Sequence, residues 1–318
     1  MTKIMSDSYT VAVVMESPQS LSLREVALTP LGPEDVAVDI EWSGISSGTE
    51  RLLWTGRMPS FPGMGYPLVP GYESVGRIVD AGPAARTRIG DYVFVPGASC
   101  FKDARGLFGG AARRLVVPSA RAVAIDTPVP EQGVLIALAA TARHCMKGGL
   151  PPDLIVGHGV LGRLLARWTI AAGFAPPTVW ERNPDRRNGT PDYAVIDPEE
   201  DDRRDYRAIY EASGDSAVLD ELIGRLTRAG EVVLCGFYDR PLSFAYPPSF
   251  QKEARIRVAA EWTRHDLNET IAAIAKGRLK LDTLITHRRD ATDAGEAYRT
   301  AFGDPSCLKM ILDWRNCA

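Results

Sequence analysis

Cysteine is scarce and scattered. Five cysteines stand at 100, 145, 235, 307 and 317, an odd number with no Cys-x-x-Cys pair. That argues against a disulfide framework or a structural zinc knuckle, and for reduced thiols used as small apolar side chains. Long hydrophobic runs are missing too. The longest clear one, Val134 to Ala142, is far too short to span a bilayer. Residues 1–10 are polar and lack the basic start and apolar stretch of a secretory signal, so the cytoplasm is the expected location. Charge of one sign is also lacking. A net charge of -3 and a pI of about 5.9 provide no basic face for nucleic acid and no strongly cationic membrane surface. Peripheral membrane contact and oligomerisation stay open. Internal repeats and low-complexity segments are absent.

What is present is a chain of 318 residues, enough for two domains with separate cores. Residues 9–125 read as β-rich. Thr10–Val14, the alternation Val36, Val38, Ile40, and the runs 76–80, 91–95 and 114–117 are short strands between Gly and Pro breakers. The stretch Ser43 to Gly71 reads as a long irregular loop, which in a compact domain is usually functional.

Near residue 126 the texture changes. An alanine-rich helix over 131–146 is followed by strands at 153–156, 178–180, 193–196, 208–210, 231–235 and 255–258, with helices over 160–172 and 216–229. Such alternation predicts βαβ units and a doubly wound parallel sheet, an α/β fold. The tail reads as a helix over 267–276, a strand at 284–286, a helix over 293–302 and a last strand at 307–312.

The strongest motif is Gly157-His158-Gly159-Val160-Leu161-Gly162, which fits G-x-G-x-x-G directly after a strand and opening a helix. That context marks a Rossmann dinucleotide site. Gly157 suits the tight turn, Gly159 the close approach of a pyrophosphate, and Gly162 the packing of helix on sheet. Glu181 follows the next strand, 19 residues beyond Gly162. An acid there accepts from the adenosine ribose and repels a 2′-phosphate, which favours NAD; the adjacent Arg182 works the other way. Ser213-Gly214 and Gly236-Phe237 follow later strands and are expected to border the nicotinamide half. Trp54, Met58, Phe61, Met64, Tyr66, Phe101 and Phe108 either cover a flat apolar ligand or fill the core. Arg51, Arg57 and Arg105 read first as solvated arginines, any one of which could hold an anionic group of a ligand.

Ser43-Gly-Ile-Ser46, Pro70-Gly-Tyr-Glu-Ser-Val-Gly76, Gly90-Asp-Tyr-Val93 and the glycine turn resemble the medium-chain dehydrogenase/reductase superfamily. The resemblance implies a GroES-like catalytic domain of residues 1–125 completed by 283–318, around a Rossmann NAD-binding domain of residues 126–282. In zinc members the first motif carries a Cys and the second a His before the Glu; here Ser46 and Tyr72 stand there, and an alanine near Ala137 occupies the third ligand position. Hydroxyls are poor Zn ligands beside thiolate and imidazole, so no metal is expected. Gly56 to Glu73, Gly106 to Ala111, Leu138 to His144 and Cys307 to Arg315 further resemble the bacteriochlorophyllide-oxidising branch, from about Val11 onward. That implies oxidation of a 3-(1-hydroxyethyl) group to acetyl with NAD⁺, in bacteriochlorophyll a synthesis.

Without zinc, a protein group must orient the alcohol and another must take its proton. The resemblance puts Thr49, Glu50, Tyr72 and Glu73 on the motifs that face the nicotinamide. The expectation is that Tyr72 or Thr49, beside Ser46, contacts the substrate oxygen. Glu50 or His144 relays the proton, imidazole being suited to neutral chemistry. Glu73 is either part of this group or a buried acid paired with an arginine. His158 is expected to serve turn geometry. Two rivals remain: a zinc-free NADPH quinone or enoyl reductase, and a non-catalytic pigment carrier.

Overall fold

The computed structural model describes residues 9–126, 130–187 and 192–317. Residues 1–8, on which most of the reading against a signal falls, lie outside the described residues. In chain order the elements are β1 (Tyr9–Ser17), β2 (Ser20–Ala27), β3 (Asp35–Ile45), α1 (Thr49–Thr55), β4 (Ser74–Ala81), β5 (Tyr92–Val95), β6 (Arg114–Pro118) and β7 (Val123–Ala124). Then come α2 (Ile136–Met146), β8 (Leu154–Val156), α3 (Val160–Ala171), β9 (Thr178–Trp180), β10 (Val195–Ile196), β11 (Tyr206–Glu211), α4 (Leu219–Arg225) and β12 (Leu226–Leu234). The chain ends with α5 (Tyr246–Lys252), β13 (Arg255–Val258), α6 (Arg264–Ala275), β14 (His287–Asp290), α7 (Ala294–Gly303) and β15 (Met310–Asp313).

Two compact units result: residues 1–137 with 282–318, and residues 138–281. The first keeps the segment 130–137, expected beyond its boundary. A 3-10 turn at Pro130–Leu135 anchors it, with Gly133 lying against Val75 and Ile125 so closely that a Cβ would clash.

In the first unit β1 and β2 form an antiparallel hairpin, and a larger sheet runs β14-β15-β3-β4-β5-β7 with β6 also on β3. β3 shows why: Val36, Val38, Ile40 and Trp42 are buried while Asp39 and Glu41 turn outward, the period-2 pattern of a strand with one buried face. β15 pairs antiparallel with β3, Met310 opposite Ile45, so the last strand completes the first sheet. Met15, Leu53, Leu68, Leu115, Leu312 and Trp314 are fully buried in one core. Burying each such side chain is worth roughly 1.5–3 kcal/mol.

The second unit holds a parallel sheet ordered β10-β9-β8-β11-β12-β13. Numbered from β8, this is the order 3-2-1-4-5-6 of the Rossmann fold, whose crevice opens where the order reverses, at the carboxyl ends of β8 and β11. β8 is apolar throughout and buried, as a central parallel strand must be.

Three expectations are corrected, and one strand is added. The helix over 216–229 stops at Arg225, because Leu226 is drawn into the core and pairs with Tyr206, starting β12 early. The strand at 284–286 lies at 287–290, where His287 finds Met310 as its parallel partner. The loop Ser43 to Gly71 is not wholly irregular: its first residues extend β3 and it contains α1. β2 was not foreseen, since only Leu21 and Leu23 alternate in a half-exposed hairpin.

Candidate active site

In the second unit the glycine turn is built as its spacing demands. Gly157 has φ 98°, a left-handed conformation that a side chain resists, and a Cβ there would press on Ser213. At Gly162 a Cβ would lie 1.9 Å from the Gly157 carbonyl, so only glycine lets α3 sit on the turn. Nothing lies within 4 Å of the Cβ position of Gly159, which leaves open space over the turn. Val160 and Leu161 follow in the first turn of α3, whose leading amides have no intrahelical acceptor. A pyrophosphate fits this cradle.

Glu181 closes the turn from β9. Its Oε2 accepts from the His158 amide at 3.2 Å and its Oε1 from the Asn183 amide at 2.8 Å. Arg182 is exposed, with Glu221 at 4.0 Å. His158 is fully buried: Nδ1–H donates to the Arg186 carbonyl at 2.6 Å and Nε2 accepts from the Tyr193 hydroxyl at 2.9 Å. Burial, reinforced by the nearby Arg163 guanidinium, pushes its pKa down to about 4, so it is a neutral brace. Ser213 and Gly214 follow β11, and Gly236 and the exposed Phe237 follow β12, at the same edge of the sheet.

In the first unit a polar cluster gathers behind α1. The Tyr72 hydroxyl and Ser46 Oγ are 2.8 Å apart, and the Thr49 side chain also bonds Tyr72. Burial, then the charge of Glu73, pushes the phenol well above its ordinary value. Glu50 is fully buried; it accepts from the Ser46 amide at 3.1 Å and from the Tyr298 hydroxyl at 2.7 Å. Burial lifts its pKa to about 7. Glu73 is also fully buried, and its partner is Lys309 at 2.6 Å, not the expected arginine. Its Oε1 has no hydrogen-bond partner among the described residues, and burial raises its pKa despite the lysine.

The structure brings Ser46, Thr49, Glu50, Tyr72 and Glu73 together and adds Tyr298 and Lys309, which the sequence reading missed. Neither could have been found by spacing, since each is more than 230 residues from the acid it serves. His144 belongs to another cluster. Its Nδ1 lies 2.7 Å from Asp266, a buried carboxylate that also takes bonds from Arg143 and from the amide and hydroxyl of Thr263. These bonds hold the Asp266 carboxyl far below its usual range against the cost of burial.

The aromatic loop is mostly core. Met58 is buried, Tyr66 gives its hydroxyl to the Leu53 carbonyl, and Trp54, Phe61, Met64 and Phe101 are half-buried against the core. Phe108 differs: its ring meets Tyr72 edge-on at 5.3 Å, beside the polar cluster. Arg51, Arg57 and Arg105 are exposed. None of the five cysteines is in a disulfide, and all are buried.

The donor set where zinc members of the resembling superfamily bind metal does not fit zinc. Ser46 and Tyr72 offer hydroxyls bonded to one another, the buried phenol resists ionisation to a phenolate ligand, and the alanine near Ala137 that the resemblance puts third has no side-chain donor. Among the described residues no three His, Cys, Asp or Glu side chains are grouped so as to hold a metal ion. Among them, too, no helix is long and apolar enough to cross a membrane.

Comparison with known proteins adds three findings. The model of the alcohol dehydrogenase GroES-like domain matches residues 32–127. The 2-desacetyl-2-hydroxyethyl bacteriochlorophyllide A dehydrogenases of Rhodobacter capsulatus and Cereibacter sphaeroides are 58% and 56% identical, over 96% and 97% of this chain and 99% of theirs. Among solved structures, an E. coli short chain alcohol dehydrogenase complexed with NADH superposes with a TM-score of 0.82 at 22% identity, over 96% of this chain and 99% of that one.

Proposed function

The chain belongs to the medium-chain dehydrogenase family, with the hydroxyethyl bacteriochlorophyllide dehydrogenases, and we propose that it oxidises a bacteriochlorophyllide 3-(1-hydroxyethyl) group to acetyl, using NAD⁺ and no catalytic zinc. It is a dehydrogenase acting on an alcohol group, in bacteriochlorophyll synthesis. The observation that carries the substrate is the 58% identity across 96% of the chain to a protein named for that activity.

When bound, NAD⁺ supplies the acceptor for the hydride. The chain must then do three things. The first is to hold the dinucleotide. Gly157 and Gly162 shape the turn and seat α3 on it, Gly159 leaves room for its phosphates, and Val160 and Leu161 present the helix end. Glu181 favours NAD⁺ over NADP⁺ because its carboxylate would repel a 2′-phosphate. The second is to orient the alcohol. Tyr72 and Thr49, hydrogen-bonded to each other and steadied by Ser46, present hydroxyls that can hold a substrate oxygen without a metal. The third is to take the proton. Glu50, raised to about 7, is poised to change protonation at neutral pH, and it is held beside these hydroxyls by the main-chain amide of Ser46. His144, with its Nδ1 tied to Asp266, keeps Nε2 as a second candidate base. Zinc independence rests on the donor chemistry of Ser46, Tyr72 and Ala137.

The test is incubation of pure protein with 3-hydroxyethyl bacteriochlorophyllide and either NAD⁺ or NADP⁺, with and without a zinc chelator. The product is followed by its red absorption shift. Turnover with NAD⁺, much slower with NADP⁺ and indifferent to chelator, is expected. No turnover with either cofactor, or loss on chelation, would overturn the reading.

A further inference from the structure

At the carboxyl edge of the parallel sheet three βα turns lie side by side, following β8, β11 and β12. They touch at backbone level. A Cβ on Gly157 would lie 3.0 Å from Ser213, and one on Gly236 would lie 3.1 Å from Gly214 and 3.4 Å from the Glu211 carboxylate. The middle turn, 212–214, is therefore wedged between its neighbours. Its shape is set from below by one side chain.

Glu211 is the last residue of β11 and is almost wholly buried. Its carboxylate takes the Ser213 amide at 2.7 Å, the Gly214 amide at 3.1 Å, and the hydroxyls of Ser213 and Tyr238. Tyr238 comes from the neighbouring turn, after β12. Its own strand is joined to Glu211 through the main chain as well, since the Cys235 amide donates to the Glu211 carbonyl at 2.9 Å. A buried carboxylate is costly unless its lone pairs are used, and here both oxygens are occupied by donors from two different turns.

We propose that Glu211 and Tyr238 are positioning residues for the dinucleotide: they lock the turns 212–214 and 236–238 into the shape that receives its nicotinamide half. The inference rests on the reading of this sheet edge as a nicotinamide-dinucleotide site. Glu211 does not touch the cofactor's phosphates or adenosine, which belong to the glycine turn and Glu181. Loosening Glu211 therefore acts on one half of the ligand. A merely structural role would weaken the whole site.

ADP-ribose carries the adenosine, pyrophosphate and second ribose but no nicotinamide, so it separates the two halves. Affinities for NADH and ADP-ribose are measured by calorimetry on the full chain for wild type, Glu211→Ala, Glu211→Gln and Tyr238→Phe. Glu211→Ala leaves the turn amides unpartnered and should weaken NADH roughly tenfold, while ADP-ribose changes by about twofold or less. Glu211→Gln keeps an acceptor for the amides, and the Tyr238 hydroxyl can rotate to accept from the new amide, so it should restore most of the NADH affinity. Tyr238→Phe, a milder change, keeps the test open if Glu211→Ala does not fold; it should weaken NADH by roughly threefold and spare ADP-ribose. Equal loss for both ligands, or no loss for either, would overturn the inference. Wild-type protein that binds neither ligand would instead overturn the cofactor reading beneath it.

Discussion

Replacing Glu50 by Gln should flatten the pH dependence of stability between about pH 5 and 8. Glu50 is fully buried, and its hydrogen-bond donors among the described residues are the Ser46 amide and the Tyr298 hydroxyl. Glu73 and Tyr72 nearby oppose its ionisation or are opposed by it, and Lys309 favours it, but burial dominates and lifts its pKa from 4.5 to about 7. The folded chain thus holds a proton that the unfolded chain has already released. The stabilisation is complete below pH 4.5 and is lost as the pH rises through about 7. The difference of 2.5 pKa units, at about 1.4 kcal/mol each, gives about 3 kcal/mol. Gln never ionises. It keeps an acceptor toward Ser46, and its amide group can donate to a rotated Tyr298 hydroxyl. The variant should match wild type near pH 5 and exceed it by about 3 kcal/mol at pH 8, a Tm difference of roughly 6–12 °C at about 2–4 °C per kcal/mol. Denaturant midpoints at half-unit pH steps measure it. Parallel loss of stability in both proteins across this range would refute the reasoning.

Other substitutions probe the remaining parts. Gly162→Ala places a methyl 1.9 Å from the Gly157 carbonyl and should abolish NADH binding, read by protein fluorescence quenching. Lys309→Met strands the Glu73 carboxylate without its counter-ion and should cost about 3–5 kcal/mol in chemical denaturation. Glu181→Ala removes the carboxylate proposed to repel a 2′-phosphate, beside the exposed Arg182. The ratio of kcat/KM for NADP⁺ to that for NAD⁺ should rise by roughly tenfold or more, about 1.4 kcal/mol. Tyr72→Phe deletes one of the two hydroxyls proposed to orient the alcohol and should lower kcat by about 10²-fold at saturating NAD⁺; an unchanged rate would remove it from the mechanism.

What was legible in the sequence was local. The alternation of Val36, Val38 and Ile40, the apolar run of β8 and the glycine spacing at 157–162 each state their structure within a few residues. So does Glu181, whose distance from the glycine turn is set by one helix and one strand. What was not legible depends on distant partners. Leu226 reads as the end of a helix until Tyr206 claims it for the sheet. α1 hid in a stretch whose Gly and Pro content signals a loop. Tyr298 and Lys309 carry no motif, and only the return of β15 onto β3 brings Lys309 to Glu73. The turn at Ser213-Gly214 was visible, but the grip of Glu211 on Tyr238 needs two neighbouring strands. The aromatic loop was ambiguous by composition, since the same side chains cover a ligand or a core. The core took Met58, while Phe108 went to Tyr72.

In the proposed reaction hydride leaves a secondary alcohol for NAD⁺ with no metal to hold the oxygen. Pigment bearing deuterium on the hydroxyethyl carbon, given to metal-stripped protein in excess chelator, tests this directly by mass spectrometry of the reduced cofactor. Deuterium in the recovered NADH, at the rate of untreated protein, is the predicted result. Reduced cofactor that appears only when Zn²⁺ is restored would contradict it.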